Sequence, residues 1–151
     1  MPSTLQFQGE EAFDATRETL WRFLADIRNV PQFVPNLRDA QFPAPDTLTG
    51  KLASSFSFMH GKLDLTIQIT ERQEPSGSKM TVTARGVGNR AIITGSIELP
   101  EVAAGPTLLR WQAAVQLEGL LKAVSKGLIE GAARKIIAET FQAVRKKLVV
   151  A

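Results

Sequence analysis

Residues 120–150 read LLKAVSKGLIEGAARKIIAETFQAVRKKLVV, a stretch without proline that decides the fold. Its apolar residues recur at steps of three and four, as on one face of an α-helix, and charged residues take the other side. A helix of about thirty residues extends ~45 Å and needs a broad apolar surface to lie on. We therefore predict one long amphipathic helix over residues 120–150, packed on the rest of the chain.

The residues before this helix alternate between apolar and polar, which is typical of strands with one buried face. The alternation is clearest at Leu63, Leu65, Ile67 and Ile69. Short turns between the strands, one of them predicted at residues 60–61, favour antiparallel neighbours. Further strands are predicted at residues 3–12, 48–58, 80–85, 91–99 and 107–117.

Residues 13–30 change to a helical period, with Asp14 as the predicted N-cap, and a second helical turn is predicted before Pro35. The predicted fold class is α+β. A curved antiparallel sheet of about six or seven strands wraps around the long C-terminal helix, and two short helices follow the first strand. The length of 151 residues predicts a single domain over residues 1–151.

The composition excludes several classes of chemistry. The chain has no cysteine, which excludes disulfides, thiol nucleophiles and thiolate metal sites. The single histidine, His60, lies in a predicted turn, and no histidine or acidic residues stand at metal-ligand spacing. We predict no catalytic residue, no metal site and no cofactor.

The N-terminus, MPSTLQFQGEEAF, lacks the basic start and apolar run of a signal peptide. No uninterrupted apolar stretch is long enough to span a bilayer. The expected localisation is therefore cytoplasmic, with peripheral contact to a membrane as a further option.

The predicted C-terminal helix holds most of the basic excess in a chain of net charge +3. A solvated surface is the simplest interpretation, and attraction to an acidic protein partner or an anionic membrane surface is the alternative. Nucleic-acid binding is not predicted, because no basic run interleaved with aromatic residues crosses the outer sheet face. The basic residues are Lys122, Lys126, Arg134, Lys135, Arg145, Lys146 and Lys147, against Glu130 and Glu139.

The inward face of the predicted sheet mixes large apolar residues with small ones such as Gly95 and Ala113. Such a face predicts an apolar cavity between sheet and helix. Gly127 and Gly131 are predicted to mark either a close approach of the helix to the sheet or the position of a ligand. The predicted cavity residues are Phe33, Phe56, Phe58, Leu65, Ile67, Val82, Ile93, Trp111, Val124, Leu128 and Gly131.

Short motifs along nearly the whole chain carry a resemblance to a known family. They are Ala15-Thr-Arg-Glu-Thr-Leu-Trp21, Val34-Pro35, Thr49-Gly50-Lys51, Gly61-Lys62, Ala84-Arg-Gly-Val-Gly88, and Gly127-Leu-Ile-Glu-Gly131-Ala-Ala-Arg-Lys135 followed by Phe141. With them the chain resembles the helix-grip fold of the START-like (SRPBCC) superfamily, and most closely the carbon monoxide dehydrogenase G-subunit family. It departs from the family pattern at Asn36, after the proline, and in the bulkier segment 89–94.

The resemblance implies a protein that binds a lipophilic small molecule between sheet and helix without catalysing a reaction. In the G-subunit family this accompanies assembly or membrane recruitment of a molybdenum-containing dehydrogenase. The alternative implied by the superfamily is a polyketide cyclase- or dehydratase-like enzyme acting on an aromatic or polyketide substrate. Arg110, Asp26 and His60 are the expected polar participants of such an enzyme.

Overall fold

A computed structural model describes residues 4–34, 36–56, 59–101 and 106–149, except for the side chains of residues 54–61 and 149. The strands are β1 Thr4–Phe13, β2 Leu37–Ala44, β3 Thr47–Phe56, β4 Met59–Gln73, β5 Gly77–Gly86, β6 Asn89–Glu98 and β7 Thr107–Gly119. The helices are α1 Arg17–Ala25 and α2 Lys126–Val149, with 3₁₀ turns at Ile27–Gln32 and Leu120–Ala123.

The seven strands form one antiparallel sheet in the order β1-β7-β6-β5-β4-β3-β2. Strands that follow one another along the chain from β2 to β7 are neighbours, and β1 closes the far edge against β7. The predicted fold class is confirmed: a seven-stranded antiparallel sheet, short helices after the first strand and a long C-terminal helix.

The start of α1 differs from the prediction. Thr16, not Asp14, is the N-cap, and its hydroxyl accepts a hydrogen bond from the backbone N–H of Thr19 at 3.1 Å. The first strand continues to Phe13, so the helix begins later than its apolar pattern indicated. Arg17 then ties the helix to the sheet, because its Nε donates to the carbonyl of Leu99 at 2.8 Å.

The turn predicted at residues 60–61 lies inside β4 instead. His60 is paired with Ser55 and Gly61 with Ser54, and the pairing continues to Phe56 opposite Met59. The hairpin therefore reverses nearer the N-terminus than the His-Gly dipeptide indicated.

The predicted single helix over residues 120–150 is divided in two. Val124 adopts an extended backbone (φ −78°, ψ 143°), which separates the second 3₁₀ turn from α2. Ser125 then starts α2, because its hydroxyl accepts from the N–H of Leu128 at 3.3 Å and satisfies one free donor of the first turn. With 24 residues, α2 is ~36 Å long.

Arg72 on β4 joins the sheet to the end of α1. Its guanidinium donates to the carbonyl of Ala25 at 2.8 Å and to the carboxylate of Asp46 at 2.6 Å. The hydrogen bond from Arg72 holds the pKa of Asp46 below its ordinary value.

We expect Asp46→Asn to lower the free energy of unfolding by about 0.5 kcal/mol at neutral pH, because the pair is partly exposed. A carboxylate whose folded pKa is depressed contributes stability above its unfolded pKa and loses it as the pH falls through the folded pKa. Urea unfolding of both proteins at several pH values checks this. The difference should be full at pH 7 and vanish at strongly acidic pH; a constant difference would contradict the assignment.

Candidate functional site

The inner face of the sheet consists of apolar residues in continuous rows across the strands. One row runs Leu48, Ile67, Val82, Ile93, Val115 and Leu5, each paired with the next in the strand register. The adjacent rows are Ile69, Met80, Gly95, Ala113 and Phe7, and then Ser78, Ile97, Trp111 and Gly9.

Burial is not uniform across this face. Leu48, Ile67 and Ile69, on β3 and β4, have at most 6% of their surface exposed. The residues at the centre of the face, on β5, β6 and β7, are only half-buried although they point inward. We call this group the central patch: Met80, Val82, Ile93, Gly95, Ile97, Trp111 and Ala113. A half-buried patch on the covered side of a sheet indicates unfilled space above it.

The position of α2 explains this pattern. Its backbone approaches β1 and the first 3₁₀ turn most closely, and that turn lies against β2 and β3. On the β1 side, the ring of Phe141 packs between those of Phe13 and Trp111, with centroids 6.1 and 6.0 Å away. The helix is therefore held at both edges of the sheet, and the central patch lies between these supports.

Two arginines of α2 also point toward β1. The guanidinium of Arg134 lies 5.7 Å from the centre of the Phe7 ring, and that of Arg145 lies 4.9 Å from Phe13. Arg145 also pairs with Glu11 at 3.1 Å. The basic residues of α2 thus do not form one solvated face, because some of them fasten the helix to the sheet.

The structure brings together several predicted cavity residues. Val82, Ile93 and Trp111 belong to the central patch, and Leu65 and Ile67 lie beside it on β4, fully buried. Phe33 is buried and packs against Phe23 at 5.5 Å between centroids, and Val124 is half-buried against the core. The predicted residues Phe56 and Phe58 lie outside the described side chains.

Two predicted cavity residues were wrong. Leu128 is 56% exposed, and Gly131 lies about 200° around the helix from the buried Ile129. A Cβ built on Gly131 or Gly127 meets no atom within 4 Å, so neither glycine marks a close approach to the sheet. The apolar stripe of α2 is wider than the face it buries, and its spacing did not fix the rotation of the helix.

The sequence reasoning missed Met80, Ile97 and Ala113 as members of the central patch. Their signal was available in the register, because each pairs across the sheet with a small or apolar residue on the same face. Gly95 was recognised only as an interruption of the β6 row. In the structure, a Cβ built on it has its nearest contacts at 3.7 and 3.8 Å, in ordinary van der Waals range.

Gly9 is the position that allows Trp111 to lie flat on the sheet. A Cβ built on Gly9 comes within 2.8 Å of the indole ring. We expect Gly9→Ala to displace Trp111 and to lower the free energy of unfolding by about 1–3 kcal/mol. Tryptophan emission and urea unfolding measure both effects. Gly95→Ala is the matched control, with an expected change below about 0.5 kcal/mol; equal effects would contradict the packing.

A separate pocket of about 290 Å³ lies between the end of β1 and the C-terminal part of α2. Its lining is Ala12, Phe13, Asp14, Pro106, Arg145 and Leu148. It contains no residue of the central patch and is partly charged, so it is distinct from the apolar space.

The shifted titratable groups belong to ion pairs away from the central patch. Arg28 donates to Asp26 at 3.2 Å and holds the pKa of that carboxyl below its ordinary value. Arg90 donates to Glu118 at 3.1 Å and lowers its pKa likewise. Within the described residues, no group of three histidine or acidic side chains could hold a metal ion.

Two of the three predicted polar participants of an enzyme therefore lie in surface ion pairs. Asp26 pairs with Arg28, and Arg110 is 55% exposed beside Glu10, facing away from α2. The side chain of His60 lies outside the described residues. None of the described helices is both long and apolar enough to span a membrane.

Solved structures share this architecture. A conserved protein from Geobacillus kaustophilus superposes with a TM-score of 0.87 at 21% identity, over 96% of this chain and 95% of that one. A START superfamily protein from Mycobacterium smegmatis gives a TM-score of 0.67 at 13% identity, over 95% and 96%. The di-domain ARO/CYC BexL of the BE-7585A biosynthetic pathway gives 0.66 at 13% identity, over 96% of this chain and 50% of that one.

These likenesses are below 25% identity and establish the fold alone. No curated protein sequence matches the chain. The sequence profile of the carbon monoxide dehydrogenase G-subunit (CoxG) family, however, matches residues 9–149. With that match over most of its length and with START-like neighbours in structure, the chain belongs to the carbon monoxide dehydrogenase CoxG family of the START-like superfamily.

Proposed function

We propose that this protein binds a lipophilic small molecule in the space between α2 and the central patch and acts as a non-enzymatic carrier or accessory protein. The observation that carries the proposal is the half-buried central patch beneath a helix that is fastened at both sheet edges. An apolar molecule placed there would remove the exposed surface of Val82, Ile93 and Trp111 from water.

The chemistry of the patch defines the class of ligand. Its seven members offer no hydroxyl or charged group, and only Trp111 has a polar side-chain atom. Burial of apolar surface contributes roughly 25 cal/mol per Å², before the costs of association. Shape and apolar area, more than hydrogen bonding, would therefore select the ligand.

Membership of the CoxG family supports an accessory role toward a molybdenum-containing dehydrogenase. In such a role the carrier would bring the lipophile to, or take it from, an acidic partner surface. Lys135, Lys146 and Lys147 of α2 do not share in the contacts of Arg134 and Arg145 with β1 and are the residues for such a surface.

The binding proposal is tested by mixing the delipidated protein with a bacterial lipid extract and purifying it again. Solvent extraction and mass spectrometry then identify what was retained. We expect one or a few lipophilic species, strongly enriched over the extract. Retention no greater than that of an unrelated protein of similar size would overturn the proposal.

A second candidate function is an enzyme of the polyketide cyclase or dehydratase type. The likeness in fold to the ARO/CYC protein BexL favours it. The surface positions of Asp26 and Arg110 do not support it, which leaves His60 as the residue to test. If this function is correct, an aromatic polyketide substrate should be turned over, and His60→Ala should reduce the rate at least tenfold.

A further inference from the structure

The end of the sheet at which α2 begins carries unusually exposed apolar side chains. Val87, in the turn between β5 and β6, is 99% exposed, and Leu120, just after β7, is 68% exposed. The N–H of Leu120 donates to the carbonyl of Gly88 at 3.0 Å, which places the two segments side by side. We call Val87 and Leu120 the apolar tip. Exposed apolar groups that adjoin one another commonly mark an interaction site.

The fold itself does not explain Val87. Gly88 provides the positive φ (73°) that the turn requires. The preceding turn position favours small polar residues such as asparagine or aspartate, whereas valine is β-branched and here contacts almost nothing. The side chain therefore contributes little to folding, and its reason lies outside the chain.

The charge around the tip identifies the partner. Residues 85–90 and 118–130 contain four basic and two acidic residues. Both acidic residues are already paired, Glu118 with Arg90 and Glu130 with Lys126. Arg85 and Lys122 are exposed and add positive charge near Glu118. An apolar tip within a basic surround fits an anionic lipid headgroup region, where apolar side chains enter the acyl boundary.

We propose that the apolar tip docks this protein on anionic membranes, with Val87 and Leu120 inserted and Arg85 and Lys122 against the lipid phosphates. This contact surface differs from the outer face of α2. It also brings the end at which α2 begins to the bilayer, so a lipophile could exchange there. The docking does not require an occupied cavity and stands or falls separately from the proposed binding function.

Vesicle flotation of the delipidated full chain tests the docking. The probe is phosphatidylcholine vesicles with about one third phosphatidylglycerol, compared with phosphatidylcholine alone. We expect the wild type to float with the anionic vesicles only. Val87→Ser combined with Leu120→Ser should weaken partitioning by roughly tenfold or more, and Lys122→Glu should weaken it further.

Phe42→Ser is the matched control, because Phe42 is also apolar and 43% exposed but lies on β2 at the sheet edge. It should float like the wild type, and circular dichroism should show that all variants remain folded. Three results would overturn the proposal: no flotation of the wild type, which would leave the tip to a protein partner; flotation unchanged by the double substitution; or loss only with Lys135→Glu and Lys146→Glu, which would place the contact on α2.

Discussion

Replacing Phe141 with alanine is expected to lower the free energy of unfolding by about 2–3 kcal/mol. The Phe141 ring packs against both Phe13 on β1 and Trp111 on β7, so its loss removes the aromatic contact that fastens α2 to one edge of the sheet. The expected cost lies below that of a fully buried phenylalanine because the ring is half-buried. Urea unfolding followed by circular dichroism measures it.

Gln142→Ala is the control for this experiment, since the neighbouring Gln142 is exposed on the same helix. Its effect should stay within about 0.5 kcal/mol. If Phe141→Ala costs no more than the control, α2 is held by other contacts. The explanation given for the exposed central patch would then lose its basis.

Replacing Gly95 with leucine is expected to abolish lipophile binding while the chain stays folded. Gly95 lies in the middle of the central patch, and the space above it has its nearest atoms, on Met80 and Gln112, at ordinary contact distance. A leucine there would occupy the volume that we assign to the ligand. We expect at least a tenfold loss of affinity for the apolar probe 1-anilinonaphthalene-8-sulfonate.

The stability change expected for Gly95→Leu is less than about 1 kcal/mol, because a packed apolar side chain replaces a strand glycine and open space. Thr94→Leu is the matched control: Thr94 is the adjacent residue, exposed on the outer face of β6, and should change neither quantity. A loss of several kcal/mol in Gly95→Leu would indicate overpacking of a filled core. Unchanged probe binding in a folded variant would place the ligand elsewhere.

Much of the sheet could be predicted because its signals are local. The alternation of Leu63, Leu65, Ile67 and Ile69 identified both the strand and its buried face, and all four residues are buried in the structure. The edge strand β2 is less regular. Asn36 and Asp39 adopt positive φ, and the register with β3 shifts twice, so the sequence shows no clean alternation there.

The rotation of α2 and the identity of the central patch could not be predicted in the same way. Apolar residues between Leu128 and Ile137 surround more than half of the helix, so several rotations would bury a comparable area. The choice depends on long-range contacts of Phe141 and Arg145 with β1. Similarly, inward direction could be predicted for Val82 and Ile93, whereas their half-burial depends on where α2 lies.

The central claim is that one lipophile occupies the space between α2 and the central patch. Native mass spectrometry of the intact wild type and of Gly95→Leu, after the same exposure to a lipid extract, tests it most directly. The predicted result is a single retained lipophile per wild-type chain and none on the folded variant. An unmodified wild-type mass, or equal retention by both proteins, would contradict the account.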